Sequence, residues 1–307
     1  MVELHKYSGA GNDFVVLDGR FEDVSAFRTP EHISFFCKKY STDGLMILTA
    51  DPDYDFRMEF YNPDGSGGMM CGNGGRCIVA FADALGLQPR DGRVFRFVAA
   101  DGEHTGEILS REGGCKTVRL RMIDVHEFHP ALDGWFVDTG TRHFVRFVPD
   151  VEAVDIEQEG RQARWDPIFA PIGANANFVS ADADGVLHVR TFEKGVEGET
   201  LACGTGITAS AIAWYLAGGS AAAVSPLSCC ASLTPDPTRV NGSETALPHP
   251  PVSSDAAFRH SPTPIGESYR YTIQARIARL AVDFRVGDGC FTDVYLTGPA
   301  EEMARDA

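Results

Sequence analysis

Three features of the 307-residue chain predict a mixed α/β (α+β) fold built from two similar halves. Short runs of β-branched and aromatic residues recur along it, separated by turns rich in Gly, Asn and Asp. Two segments echo each other, Cys71-Gly72-Asn73-Gly74-Gly75 and Cys203-Gly204-Thr205-Gly206-Ile207, each leading into a helix-like stretch. The order strand, Gly-rich loop, Cys turn, helix therefore occurs twice, which a fused duplication explains even though the halves share little sequence.

In the first half, Val2 to Tyr7 alternates loosely and breaks at Ser8-Gly9-Ala10-Gly11-Asn12-Asp13, after which Phe14 to Leu17 is an apolar strand. Glu31 to Lys39 suits a helix that ends before Thr42-Asp43-Gly44, and Leu45 to Thr49 is again a strand. Asp55 to Tyr61 puts Phe56, Met58 and Phe60 on one face and runs into the loop Asn62-Pro63-Asp64-Gly65-Ser66-Gly67-Gly68. The first Cys turn follows, with a helix predicted over Cys77 to Leu85 and stopped by Gly86. Val94 to Val98, Thr105 to Ile108 and Val118 to Met122 complete this half as strands.

The second half opens with strands Trp135 to Asp138 and Phe144 to Val148 around the loop Thr139-Gly140-Thr141-Arg142-His143. Strands Asn177 to Ser180 and Leu187 to Phe192 precede the second Cys turn, and a small-residue helix runs from Ile207 to about Ala217. The stretch 218–268 differs in kind: its prolines, Ser, Thr and Ala cannot assemble a packed core, so it reads as a flexible insertion. Tyr271 to Ile277, Leu280 to Arg285 and Phe291 to Leu296 return to strand character.

Bulk properties narrow the function classes. A hydrophobic share of 44% and a charged share of 23% are those of a soluble globular protein. The net charge of −16, with no basic stripe, argues against nucleic acid and anionic membrane as partners. No apolar run approaches the ~20 residues of a membrane span, and Met1 to Lys6 lacks a signal-peptide pattern. Eight Cys in so long a chain suggest reduced thiols and a cytoplasmic setting.

Cys71 and Cys203 carry the chemistry. A thiolate at a helix N-terminus is stabilised by the dipole and by unpaired backbone N–H groups. The same N–H groups form an anion site that suits a carboxylate. Two such sites facing each other hold one carboxylate and place a thiol on either side of the neighbouring carbon, an arrangement that inverts stereocentres. Structural zinc does not fit the spacing of Cys71 and Cys77, and neither turn has the ending of a phosphate-binding loop. Cys37, Cys77, Cys115 and Cys290 read as small buried hydrophobes, and Cys229-Cys230 receive no role. Asn12, Asn62, Asn73, Asn175 and Asn177, all near Gly-rich turns, offer donors and acceptors for a zwitterionic ligand. Glu193 and Lys194 flank the second Cys as an acceptor for an ammonium and a donor for a carboxylate; His143 in its loop is placed to orient a thiol or ligand.

Four segments carry a family resemblance: Tyr7-Ser8-Gly9-Ala10-Gly11-Asn12-Asp13-Phe14, Asn62-Pro63-Asp64-Gly65-Ser66, Met70-Cys71-Gly72-Asn73-Gly74-Gly75-Arg76-Cys77, and the run from Arg190 through Glu193, Lys194 and Cys203 to Gly206. Together they resemble the signatures of diaminopimelate epimerase, and Leu296-Thr297-Gly298-Pro299-Ala300-Glu301 resembles its closing strand. The resemblance implies two pseudo-symmetric α/β domains, each a strand-wrapped central helix, with the active site in the interdomain cleft. On that reading residues 1–128 with a returning strand 290–307 form one domain and 129–289 the other. It further implies no pyridoxal phosphate or other cofactor, no metal, and a homodimer. Carried over by position, Cys71 and Cys203 are the acid–base pair that epimerises LL-2,6-diaminopimelate to the meso form. Asn12, Asn62, Gly72, Asn73, Asn175, Glu193, Lys194, Gly204 and Thr205 match substrate contacts.

Three features depart from the family pattern. Lys194 stands where Arg is usual, keeping the charge but losing the bidentate fork. Thr141 and Arg142 stand where Asn and Pro are usual, and the insertion 218–268 is not typical. The alternatives are an epimerase of the same architecture acting on another amino acid, a phenazine-biosynthesis-type isomerase, whose lack of the thiols this chain does not share, and a non-catalytic amino-acid-binding module.

Overall fold

The computed structural model describes residues 2–68, 71–219 and 266–303. Most of the stretch 218–268 expected to be an insertion lies outside these residues, as do Met70, Cys229 and Cys230. By its contacts the chain divides into two compact units, one built from residues up to Arg121 together with the chain from Thr297 onward, the other from Met122 to Leu296.

The first unit contains β1 (Leu4–Ser8), β2 (Asp13–Asp18), α1 (Pro30–Tyr40), β3 (Gly44–Thr49), β4 (Phe56–Tyr61), α2 (Gly72–Ala84), β5 (Val94–Ala99), β6 (Gly102–Glu112) and β7 (Cys115–Arg121). Strands β1 to β7 are neighbours in sequence order, with β2–β3 and β4–β5 parallel across the two helices. The last strand, β16 (Phe291–Glu302), pairs its end with both β7 and β1, closing the sheet into a ring. Helix α2 packs on β1, β2, β3, β6 and β7. Its residues from Gly72 to Ala82 are all buried, the polar Asn73 and Arg76 among them. Helix α1 covers the outer face, setting Ile33 and Cys37 on Val15, Leu17, Leu45 and Ile47. Strands β2 and β3 are thus covered on both faces, which is why they read as unbroken apolar runs.

The second unit repeats this plan. It contains β8 (Phe128–Ala131), β9 (Gly134–Asp138), β10 (Arg142–Phe147), α3 (Ile156–Arg164), β11 (Asn175–Ala181), β12 (Leu187–Glu193), β13 (Gly198–Thr200), α4 (Gly204–Leu216), β14 (Ser268–Gln274) and β15 (Arg279–Val286). Again the two parallel pairs, β10–β11 and β12–β14, span the two helices. Helix α4 packs on β9, β10, β11, β12, β14 and β15 and buries nearly its whole surface. Helix α3 covers an outer cluster that includes Phe144, Phe178 and Phe192. The duplication is therefore one of topology, strand pair by strand pair.

Several expectations are corrected. Both Cys-linked helices start earlier than predicted, at Gly72 and Gly204 rather than Cys77 and Ile207. Gly and Asn are poor helix formers, but both turns are packed closely by distant residues: a Cβ at Gly206 would meet Asn177 Oδ1 at 2.4 Å, and one at Gly9 the Asn73 carbonyl at 2.7 Å. Helix α3 was not predicted, because Ile156 and Ala163 are its only buried apolar side chains. It forms through the Asp155 cap on the Gln158 amide and the packing of Gly160 and Arg161 on Phe192. His143 and Asn175, expected in loops, sit on β10 and β11 as direct register partners. Cys115 is joined in a disulfide rather than being a reduced hydrophobe. Among the described residues no helix is long and apolar enough to cross a membrane.

Candidate active site: two cysteine-capped helices

Cys71 is the N-cap of α2, with extended backbone (φ −98°, ψ 153°) and its Sγ accepting from the Gly74 amide at 3.3 Å. The loop after β1 lies directly on this turn. A Cβ at Gly9 would stand 2.7 Å from the Asn73 carbonyl oxygen and 2.8 Å from Cys77 Sγ, so only glycine fits there. Asn73 Nδ2 donates to Asn12 Oδ1 at 2.6 Å, joining two of the amides singled out from the sequence. Asn62 does not join them by any hydrogen bond among the described residues; its Nδ2 donates to Ser66 Oγ at 3.0 Å, within its own turn.

Arg76, to which the sequence reading gave no role, is completely buried behind this turn. Its guanidinium donates to Asn73 Oδ1 at 2.8 Å and to the carbonyls of Gly72, Gly9 and Pro299 at 3.2–3.3 Å. Burial pushes it down to about 10, so it remains a cation at neutral pH. Cys77, equally buried, has its thiol pushed far up by desolvation against the pull of Arg76, and stays protonated.

Cys203 is the N-cap of α4 (φ −107°, ψ 108°), without a side-chain cap bond. Its Sγ lies 3.4 Å from Thr205 Oγ1. From there a continuous set of hydrogen bonds runs inward. Thr141 Oγ1 donates to Thr205 Oγ1 at 3.0 Å and lies 2.9 Å from His143 Nε2. His143 Nδ1 lies 3.1 Å from Asn177 Nδ2, which also donates to the Phe144 carbonyl at 3.0 Å. Because a carbonyl only accepts, the Asn177 nitrogen faces both groups, and His143 Nδ1 must be the acceptor. The ring proton is then on Nε2 and points to Thr141. Thr191 Oγ1 fixes Asn177 from its other side, donating to Oδ1 at 2.9 Å. Burial pushes His143 down to about 3, so the ring is neutral.

The remaining predicted contacts are spread over the same unit. Asn175 Nδ2 donates to the Arg142 carbonyl at 3.1 Å and its Oδ1 accepts from the Lys194 amide at 2.7 Å. Glu193 accepts from Thr200 Oγ1 at 2.8 Å, while Lys194 is exposed. Arg142 turns away, donating to the Phe169 carbonyl at 3.0 Å and stacking over Phe136. The sequence reading gave no role to Arg76 or Thr191, and named Thr141 only as a departure from the family pattern. A signal existed for the first: a charged residue amid a run of small and apolar ones, five positions after Cys71, where Cys203 is followed by Thr208.

The chain matches known proteins along most of its length. The family model described as diaminopimelate epimerase matches residues 4–112 and 135–226. A diaminopimelate epimerase of Chlorobaculum tepidum is 40% identical over 213 residues, 67% of this chain and 80% of its own. One of Flavobacterium psychrophilum is 31% identical over 303 residues, 98% of this chain and 97% of its own. Among solved structures, a probable proline racemase of Agrobacterium radiobacter K84 shares the fold, with a TM-score of 0.59 at 15% identity over 100% of this chain and 93% of its own.

The family match and the curated relatives make the chain an isomerase of the racemase and epimerase class, with two Cys-capped helices in its fold. More narrowly, the chain belongs to the diaminopimelate epimerase family.

Proposed function

We propose that the protein converts LL-2,6-diaminopimelate to the meso form by two-base proton transfer between Cys71 and Cys203, without a cofactor or metal. The observation that carries this reading is the matched pair of cysteine N-caps at the start of two buried helices. One sulfur, as thiolate, removes the α-proton; the other, as thiol, delivers a proton to the opposite face. The carbanion is the hard part, since nothing delocalises it beyond its own carboxylate. The backbone N–H groups of Gly72-Asn73 and Gly204-Thr205 would hold that carboxylate and stabilise the enediolate charge as it develops. Asn12, Asn62, Asn175, Glu193 and Lys194 would bind the amino and distal groups, rejecting amino acids that leave them unpaired. We assign the two epimerase domains to 1–128 with 290–307 and to 129–289, and place the enzyme in the cytoplasm as a homodimer.

Proton NMR of LL-diaminopimelate with the protein in deuterated buffer tests the chemistry. The α-proton signal should disappear as the meso isomer forms, and Cys71→Ala and Cys203→Ala should each abolish epimerisation. Tight binding with no deuterium entering the α-carbon would mean a binding module instead. Preference for another amino acid in a substrate panel would keep the mechanism and change the substrate. Sedimentation should give twice the 33.2 kDa chain mass; a monomer would remove the dimer from the proposal.

A further inference from the structure

The two cysteines have the same position on their helices but opposite surroundings. Five residues after Cys71 stands Arg76; five after Cys203 stands Thr208, and both are fully buried. Each donates to the carbonyl of the first helical residue, Arg76 Nη1 to Gly72 at 3.2 Å and Thr208 Oγ1 to Gly204 at 3.0 Å. The hydrogen bond is thus conserved between the halves while the charge is not. Among the described residues no carboxylate pairs with Arg76; its acceptors are three carbonyls and the Asn73 amide oxygen. A buried cation with only neutral acceptors lacks a counter-charge. The Arg76 cation and a Cys71 thiolate attract each other across the first turn.

The other ionisable groups facing this turn do not supply that counter-charge. Cys77 stays a thiol. Asp13, on β2, is held by Lys6 of β1 at 3.1 Å. Tyr7 of β1 is directed to Glu302 of β16, and Glu302 also binds His5. In the second unit the strands around α4 carry, among others, neutral His143, Asp138, which accepts from the Gly140 amide, Glu193, and cations held by other groups: Arg142 by the Phe169 carbonyl, Arg146 by Asp133 and Arg270 by Asp283. The buried Arg190 there is already matched by a bidentate bond to Glu199 at 2.7 and 2.8 Å.

We infer that Arg76 is a positioning residue that makes the two thiols unequal, so that in the substrate-free enzyme the thiolate resides on Cys71 and the proton on Cys203. It acts through Cys71 and through the Gly9 and Asn73 contacts that set the turn, and does not touch substrate. This rests on the two-thiol reading above.

The test is iodoacetamide alkylation of the intact, substrate-free protein from about pH 6 to about pH 10, with each Cys-bearing peptide quantified by mass spectrometry and Cys290 as reference. In the wild type, the midpoint for Cys71 should lie about one pH unit or more below that for Cys203. Arg76→Gln, which keeps an amide donor but no charge, should raise the Cys71 midpoint by about one unit and leave Cys203 unmoved. Arg76→Lys should hold the Cys71 midpoint near the wild-type position. Equal midpoints in the wild type overturn the inference, even if Arg76→Gln fails to fold. Equal shifts in the Gln and Lys variants also overturn it, because charge would not be the agent. Alkylation needs no turnover, so its failure leaves the epimerisation reading standing, and that reading fails only in the deuterium experiment.

Discussion

His143 shows how much a single side chain owes to its surroundings. An imidazole in water titrates near neutrality, yet here desolvation keeps it uncharged down to about pH 3. The sign of the stability effect follows. As pH falls below the unfolded value of 6.5, the unfolded chain gains a proton that native His143 refuses, so stability is complete above 6.5 and declines steadily towards pH 3. In urea titrations the wild-type midpoint should fall between about pH 7 and about pH 5, and His143→Gln should flatten that slope. An unchanged slope would mean that the ring is protonated in the native state. The turn around Cys203 is thus arranged by neutral hydrogen bonds, through Thr141 and Thr205, whereas the turn around Cys71 is arranged by a cation.

Glycine at the start of α4 is a packing requirement before it is a flexibility one. At Gly206 an added Cβ would stand 2.4 Å from Asn177 Oδ1 and 3.2 Å from His143 Cε1. Ala is the better helix former, so propensity alone would favour Gly206→Ala. The contact decides otherwise: the substitution should destabilise by about 1–3 kcal/mol and lower activity by displacing the Asn177–His143 pair. A thermal melt unchanged or raised in this variant would show that the strands yield. The same effect explains why the sequence placed both helix starts late. Local preference spoke against Gly72-Asn73-Gly74-Gly75, and the residues that reverse it, such as Gly9 and Met46, are far away in the chain. Helix α3 was missed for a related reason, since its hold on Phe192 is made through Gly160 and Arg161 rather than an apolar stripe.

Across the whole molecule, β16 has a double role. Its first part belongs to the second unit and its end, from Thr297, to the first, where Gly298–Glu301 pair with β7 and Tyr7–Ser8 with Glu302–Glu301. Ending the chain after Thr297 would leave β1 and β7 as open edges beside α2. Such a truncation should lose near-UV circular dichroism, bind a hydrophobic dye and be inactive; a soluble, active product would show that ring closure is dispensable. The net charge of −16 acts at this scale too, as a property of solubility and partners rather than of the fold.

The amino-acid order alone determined the strand-rich halves, the two Cys-Gly turns and the family, because these lie in short segments whose chemistry is local. It also picked out Asn12 and Asn73, which meet, though not that they meet each other. Only the tertiary structure decided that Arg76 is sealed behind Cys71, that His143 is a neutral strand residue, and that Arg142 is held by the Phe169 carbonyl. Charge state and orientation depend on burial, and burial is set by partners as distant in the chain as Gly9 and Pro299 are from Arg76.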